Sequence, residues 1–273
     1  MITVVVPTLN AEATLAECLN SLRSQERAVD DIVVVDGGST DRTLEVARTM
    51  ADVVIASKPN RSLQRNIGWQ ASRSPIVMFV DADMVLTAYV SMACEEAFEQ
   101  DPLVVGLVIP ERSYGSTFWA HVKEFEREFY QGISWMEAAR CFRRDVLVGV
   151  GGYDSALIGG EDWDLDERVR KEGRIGRVKE MIWHHEQDLT LGKVWAKKSH
   201  YASTLHAYAG KHPSRASWQL SWRRRVQLIF QRPRHLIAHP TLTIGLLVLG
   251  TIEYWAHRYY SLADKLHEEK PIT

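Results

Sequence analysis

Short, almost continuously apolar runs at residues 2–6, 32–35, 53–56 and 76–80 alternate with stretches whose apolar residues recur three or four apart. Runs of that length, rich in Val and Ile, predict strands buried on both faces. Leu15, Leu19 and Leu22, then Leu44, Ala47 and Ala51, each share one side of a helix. The alternation predicts βαβ units with right-handed crossovers and a mostly parallel sheet, helices on both faces. Beyond residue 100 the rhythm loosens. Residues 104–109 and 138–142 predict further strands, 118–130 a helix, and Gly149, Gly151 and Gly152 a turn before a helix near 162–171. Gly210 and Pro213 punctuate the chain, which divides the sequence into an α/β domain over 1–210 and a helical segment over 211–273.

That segment has its own pattern. Trp218, Trp222, Val226, Ile229 and Phe230 lie near helical spacing with Arg223, Arg224 and Arg225 between them, a basic amphipathic helix suited to a membrane interface. Residues 236–252 carry no formal charge. As a helix they reach about 26 Å, short of the roughly 20 residues usual for a span. Pro240 suits a first helical turn, and Tyr254, Trp255, Tyr259 and Tyr260 would form an aromatic belt. Three readings compete: an in-plane or re-entrant anchor, a marginal single span, or a core helix packed on the catalytic domain or on a second copy. The pattern favours peripheral or monotopic attachment without a crossing, the Arg cluster on the cytoplasmic side.

Composition alone hides this. The 273 residues carry 33 Lys+Arg against 35 Asp+Glu, net −2, with 45% hydrophobic residues. These values exclude wholesale disorder and a multi-span membrane protein. Yet residues 189–252 hold ten Lys/Arg and no acid, so +10 there leaves −2 − 10 = −12 on the rest. Such asymmetry points to nucleic acid or an anionic membrane. Three widely spaced cysteines form neither a disulfide framework nor a zinc pattern, which suggests a reducing compartment. The first residues read as a strand rather than a signal peptide, so the expected location is cytoplasmic, on the inner face of the cell membrane.

In open parallel sheets ligands bind at the carboxyl ends of strands. Here those ends are polar: Pro7-Thr8-Leu9-Asn10 with Glu12 beyond, Asp36 to Asp41, residues 60–65, and Asp81-Ala82-Asp83. Ser39 to Asp41 alone would read as a helix cap. Four polar ends in succession read as a site. Asp81 and Asp83, two apart in an extended segment, would face one side and converge on Mg²⁺ or Mn²⁺. A lone Asp-x-Asp (DxD) is weak, but this one follows a buried strand. Neither a Walker loop nor GxGxxG is present, so P-loop NTPases and simple dinucleotide dehydrogenases are unsupported.

The ordered strings VVVPTLNAEATLAECLNSL, VDGGSTDRT, RSLQRNIG, FVDAD and GGYD…GGEDWDLDERV resemble the family 2 glycosyltransferases of GT-A fold, over roughly residues 1–205. The resemblance implies a Rossmann-like GT-A domain that moves a sugar from a nucleotide-diphosphate donor with inversion. It implies that Pro7, Thr8, Asn10 and Glu12 line the nucleoside pocket, that Asp36 contacts the base and that Arg65 approaches base or diphosphate. Many relatives carry a second Asp where this chain has Gly37. Asp81 and Ala82 would face the ribose and metal region, Asp83 would bind the metal, and His184, or else His185, would be a further ligand. A histidine simply hydrogen-bonded at a strand end is about as common. The catalytic base is expected at Asp162, with Glu161 orienting the acceptor or capping the helix, and Trp163 beside the acceptor or in the core.

The expected partners are a UDP-sugar by family frequency, with a GDP-sugar second, a divalent Mn²⁺ or Mg²⁺, a lipid, lipid-linked or envelope-glycan acceptor, and an anionic membrane surface. Nucleic acid is not expected, and a homo-oligomer stays open. Two alternatives stand beside this reading. A sugar nucleotidyltransferase would release pyrophosphate and leave Asp162 without a role. A binding module would hold nucleotide sugars without turning them over.

Overall fold

The computed structural model describes residues 1–186 and 189–268, with side chains to Ala256 except Ser203. Tyr259 and Tyr260 of the expected aromatic belt therefore lie outside the described side chains. The chain forms two compact units. The first comprises Met1–Arg112, Glu137–Ala156 and Glu161–His185; the second comprises Ser113–Met136, Leu157–Gly160 and Glu186–Thr273. Residues 210–211, where Gly210 and Pro213 suggested a boundary, end a helix inside the second unit.

The elements run β1 (Ile2–Thr8), α1 (Leu15–Arg23), β2 (Asp31–Asp36), α2 (Thr43–Met50), β3 (Val53–Ala56), α3 (Arg61–Ala71), β4 (Ile76–Phe79), β5 (Met84–Leu86), α4 (Val90–Gln100), β6 (Val104–Val108) and β7 (Glu111–Tyr114). They continue with α5 (Phe118–Tyr130), β8 (Cys141–Arg143), α6 (Arg144–Val150), α7 (Glu161–Val169), β9 (Arg174–Arg177) and β10 (Ile182–His185). Five helices close the chain: α8 (Leu191–Lys211), α9 (Pro213–Gln219), α10 (Trp222–Phe230), α11 (Pro233–Ala238) and α12 (Pro240–Glu268).

Seven strands form the main sheet in the order β3-β2-β1-β4-β8-β6-β9. β1 pairs in parallel with β2 and with β4, so the strand order reverses at β1 and opens a crevice at its carboxyl end. β1 is buried at every residue, as a central parallel strand with both faces covered must be. Gly68 brings α3 down onto it: a Cβ there would stand 2.2 Å from Val5 Cγ1. Two expected strands differ in kind. β3 is the sheet edge and half exposed rather than buried, and β8 is a three-residue strand antiparallel to β4 and β6. A smaller sheet has the order β5-β10-β7.

In the second unit, Val122, Phe125 and Phe129 of α5 share a core with Val194 of α8, Leu236 of α11, and Leu246 and Leu249 of α12. Gly245 permits the close α5–α12 approach, since a Cβ would meet Val122 Cγ2 at 2.5 Å. Among the described residues no helix is long and apolar enough to cross a membrane. That removes the marginal span from the three readings, because the uncharged run spends one face on its own unit's core.

Candidate active site

The crevice is built by the ends of β1, β2 and β4 and by the helix starts of α3 and α7. Thr8 and Asp36 are register partners, and Thr8 Oγ1 donates to Asp36 Oδ1 at 3.1 Å. The backbone N–H groups of Gly38 and Ser39 donate to Asp36 Oδ2, both at 2.9 Å, and Ser39 Oγ donates to Oδ1 at 2.5 Å. Asp36 is buried and holds the Gly38–Ser39 turn at the end of β2. Asn10, at φ 50°, accepts at Oδ1 from Thr40 N at 2.9 Å, and Glu12 Oε2 accepts from Arg42 N at 2.8 Å. Asn10 and Glu12 are exposed, Pro7 and Thr8 buried. A Cβ at Gly37 would sit 3.1 Å from Pro59 Cα and 3.2 Å from Gln64 Nε2, so a larger residue there would need its neighbours to shift by a few tenths of an ångström.

Asn60 caps α3 by accepting from Leu63 N at 2.9 Å. The helix then presents Arg61 and Arg65, four apart, on one side. Gln64 Nε2 donates to Thr8 O and Val35 O, each at 2.8 Å, and so pins the ends of β1 and β2. Arg65 is fully buried. Its Nη2 donates to Asp81 Oδ1 at 2.7 Å and its Nη1 to Asp162 Oδ1 at 2.8 Å, with Glu161 Oε1 at 3.6 Å. Burial disfavours the charge on Arg65, but Asp162 and Asp81 outweigh it and keep the guanidinium protonated. Burial likewise works against the Asp81 carboxylate, yet Arg65, Arg140 and Arg61 hold its pKa well below the usual range.

Asp81 and Asp83, expected to face one cation together, take different partners. The chain turns there, with Met84 N donating to Asp81 O at 3.0 Å, so the two-residue repeat of an extended strand does not apply. Asp81 spends its second oxygen on Arg140 Nη1 at 3.4 Å. Asp83, its side chain 41% exposed, lies with Oδ2 3.0 Å from His184 Nε2. His184 and His185 are successive strand residues and point to opposite sides. His184 is the one beside Asp83, while His185 contributes its backbone N–H to Asp83 O at 2.8 Å. Ala82 between the carboxylates is buried.

A carboxylate oxygen beside an imidazole nitrogen is a donor pair that fits Mn²⁺ or Mg²⁺. No group of three His, Cys, Asp or Glu able to hold a metal gathers among the described residues.

Glu161 and Asp162 open α7, and their surroundings differ. Glu161 is buried and paired with Arg61; burial and the adjacent Asp162 push its pKa above the ordinary value against the pull of Arg61 and Arg65. Asp162, with 29% of its side chain exposed, accepts from Arg65 and, at 3.3 Å, from the Tyr153 hydroxyl. Burial drives the Tyr153 phenol far up, which keeps it a donor, and Arg65 lies 5.0 Å over its ring. Trp163 is half-buried. Sequence reasoning gave no role to Arg61, Arg140 or Tyr153. Tyr153 stood inside the GGYD string, whereas no local signal marked Arg140, whose Nε donates to Glu111 Oε1 at 2.5 Å.

The profile of glycosyl transferase family 2 matches residues 3–153, more than half of the chain. The chain belongs to glycosyl transferase family 2. A Mycobacterium tuberculosis protein named PGL/p-HBAD biosynthesis glycosyltransferase is 28% identical over 179 residues, 62% of this chain and 69% of that one. The structure of the mannosyltransferase PcManGT from Pyrobaculum calidifontis, in complex with GDP-Man and Mn²⁺, aligns with TM-score 0.65 at 18% identity over 94% of this chain and 87% of its own. S. aureus TarS residues 1–349, in complex with UDP-GlcNAc, aligns with TM-score 0.54 at 17% identity over 97% and 92%. These likenesses establish the GT-A fold and, with the family, a glycosyltransferase. The nucleotidyltransferase and the non-catalytic binding module are set aside.

Proposed function

We propose that this family 2 glycosyltransferase moves a sugar from a nucleotide-diphosphate donor to an acceptor hydroxyl with inversion, Asp162 acting as the general base. The observation that carries this reading is the environment of Asp162: partly exposed beside the crevice, with Oδ1 held by Arg65 and Tyr153. A carboxylate fixed through one oxygen keeps the other for an incoming hydroxyl. The acceptor oxygen attacks the anomeric carbon, its proton passes to Asp162, and the bond to the diphosphate oxygen breaks on the opposite face. Arg65 and Arg140 place positive charge at the strand end where the diphosphate would leave.

Asp83 and His184 would hold a divalent cation, Mn²⁺ or Mg²⁺, which supplies Lewis-acid stabilisation of the departing diphosphate. Thr8, Asn10 and Glu12 would line the nucleoside side, with Asp36 shaping their loop. The donor is a UDP- or GDP-sugar, since solved neighbours of this fold hold UDP-GlcNAc and GDP-Man. The acceptor is a lipid, lipid-linked or envelope-glycan hydroxyl, met at an anionic membrane surface by the +10 stretch. Incubation with a panel of UDP- and GDP-sugars, with Mn²⁺ or Mg²⁺ and candidate acceptors, tests the reading. Acceptor-dependent release of UDP or GDP from one donor is the expected result. Release of pyrophosphate instead, or no release from any donor, would overturn it.

A further inference from the structure

The second unit holds a basic cavity lined by none of the residues assigned above to sugar transfer. Its volume is about 440 Å³, and it lies between α5 and the α10–α11 turn, lined by Glu128, Gln231, Arg232, Arg234 and His235. Its one carboxylate is already engaged: His235 Nε2 sits 2.6 Å from Glu128 Oε2, while Arg232 Nη1 donates to the Glu128 carbonyl at 2.9 Å. Arg234 is exposed, with no carboxylate set against it among the described residues. The cavity is therefore cationic and ready for an anion.

An apolar ridge begins two residues beyond it. Ile237 is 78% exposed, and Ile244, Leu247 and Trp255 of α12 are each more than half exposed. With Val248 and Thr251 they follow i, i+3, i+4, i+7 and i+11 spacing, one outer face of the helix, whereas Leu246, Leu249 and Ala256 on the other face are buried. A continuous exposed apolar face of this kind marks a contact surface. A cationic cavity beside an apolar ridge matches one chemistry, a phosphate carrying hydrocarbon chains. Nucleic acid would satisfy the cavity and leave the ridge in water. A second copy docked across a two-fold axis would set the acid-free +10 stretch against itself.

We infer that the Arg232–Arg234–His235 cavity binds the phosphate headgroup of an anionic lipid while the outer face of α12 lies in the plane of the leaflet. This deepens the membrane contact proposed above and rests on it, but not on the assignment of Asp162. Sedimentation of the full chain with phosphatidylcholine vesicles, with and without phosphatidylglycerol, tests it. Binding is expected only with phosphatidylglycerol and should weaken with salt. Arg234→Gln, at an exposed position, should weaken it about fivefold. Ile244→Ser with Leu247→Ser should abolish binding to the phosphatidylglycerol vesicles.

Three results would overturn the inference: equal binding by wild type and variants, equal binding to vesicles with and without phosphatidylglycerol, or a ridge variant that changes oligomeric state instead of vesicle binding. Donor hydrolysis in solution should be unchanged in all variants, which separates this test from that of the transfer site.

Discussion

Arg65 donates to Asp162 at 2.8 Å and, through its other terminal nitrogen, to Asp81 at 2.7 Å, so one buried guanidinium spans the crevice from the end of β4 to the start of α7. Among the described residues its Nε has no hydrogen-bond partner, and both terminal nitrogens meet carboxylates. Removing it leaves two or three carboxylates without their shared cation. Arg65→Met should cost about 3–5 kcal/mol of stability, the usual result of breaking one side of a buried ion pair. Arg65→Lys keeps the charge but not the fork and should still lose most activity. Urea unfolding and turnover on the same preparations check both; wild-type stability in Arg65→Met would refute the bridging role.

Asp162→Asn keeps the shape of the side chain and removes the base. Turnover should fall about 10²–10⁴-fold with donor KM nearly unchanged. A comparable loss of donor affinity would remove Asp162 from that role. Tyr153→Phe removes only the hydroxyl that donates at 3.3 Å. It should lower kcat more than it raises donor KM, with the melting temperature close to wild type, because the ring still packs edge-on to Phe79.

Much of this site was legible in the chain because local rules reach it. The unbroken apolar runs of β1, β2 and β4 declare central strands, and polar residues at their ends mark the crevice. What escaped depends on long-range packing. Asp81 and Asp83 take different partners at a turn that replaces the extended segment assumed for them, and Arg140 enters from an antiparallel crossing that periodicity does not announce. α5 reads as an ordinary amphipathic helix. Only its contacts reveal that Val122, Phe125 and Phe129 belong with α12 rather than with the parallel sheet. One-dimensional hydropathy could not show that the uncharged run divides its faces, one against a protein core and one outward.

The Asp83–His184 pair should carry the metal dependence. Asp83→Ala and His184→Ala are each expected to abolish the difference between donor binding with and without Mn²⁺, while Asp81→Asn should leave part of it. Calorimetric titration of a UDP- or GDP-sugar, before and after treatment with EDTA, measures this. Identical titrations of wild type and Asp83→Ala in Mn²⁺ would count against the assignment.

The acid sensitivity of the second unit should centre on Glu253. Burial opposes its charge, but Lys123, Lys198 and Arg225 outweigh that and depress its pKa; Lys123 and Lys198 each lie 3.1 Å from Oε1. A depressed carboxyl pKa means that the unfolded chain takes up the proton first as pH falls. Its stabilising contribution is therefore complete above the ordinary glutamate value of about 4.3 and drains away below it, toward the folded-state value. Glu253→Gln removes the anion on which three cations converge and should destabilise the folded packing of α5, α8, α10 and α12 by about 3–5 kcal/mol near neutrality. The gap between wild type and variant should then narrow steadily as the pH is lowered below 4.3 or so. Denaturant unfolding of both proteins across that range measures the slope directly, and parallel curves at all pH values would show that Glu253 is not the titrating group.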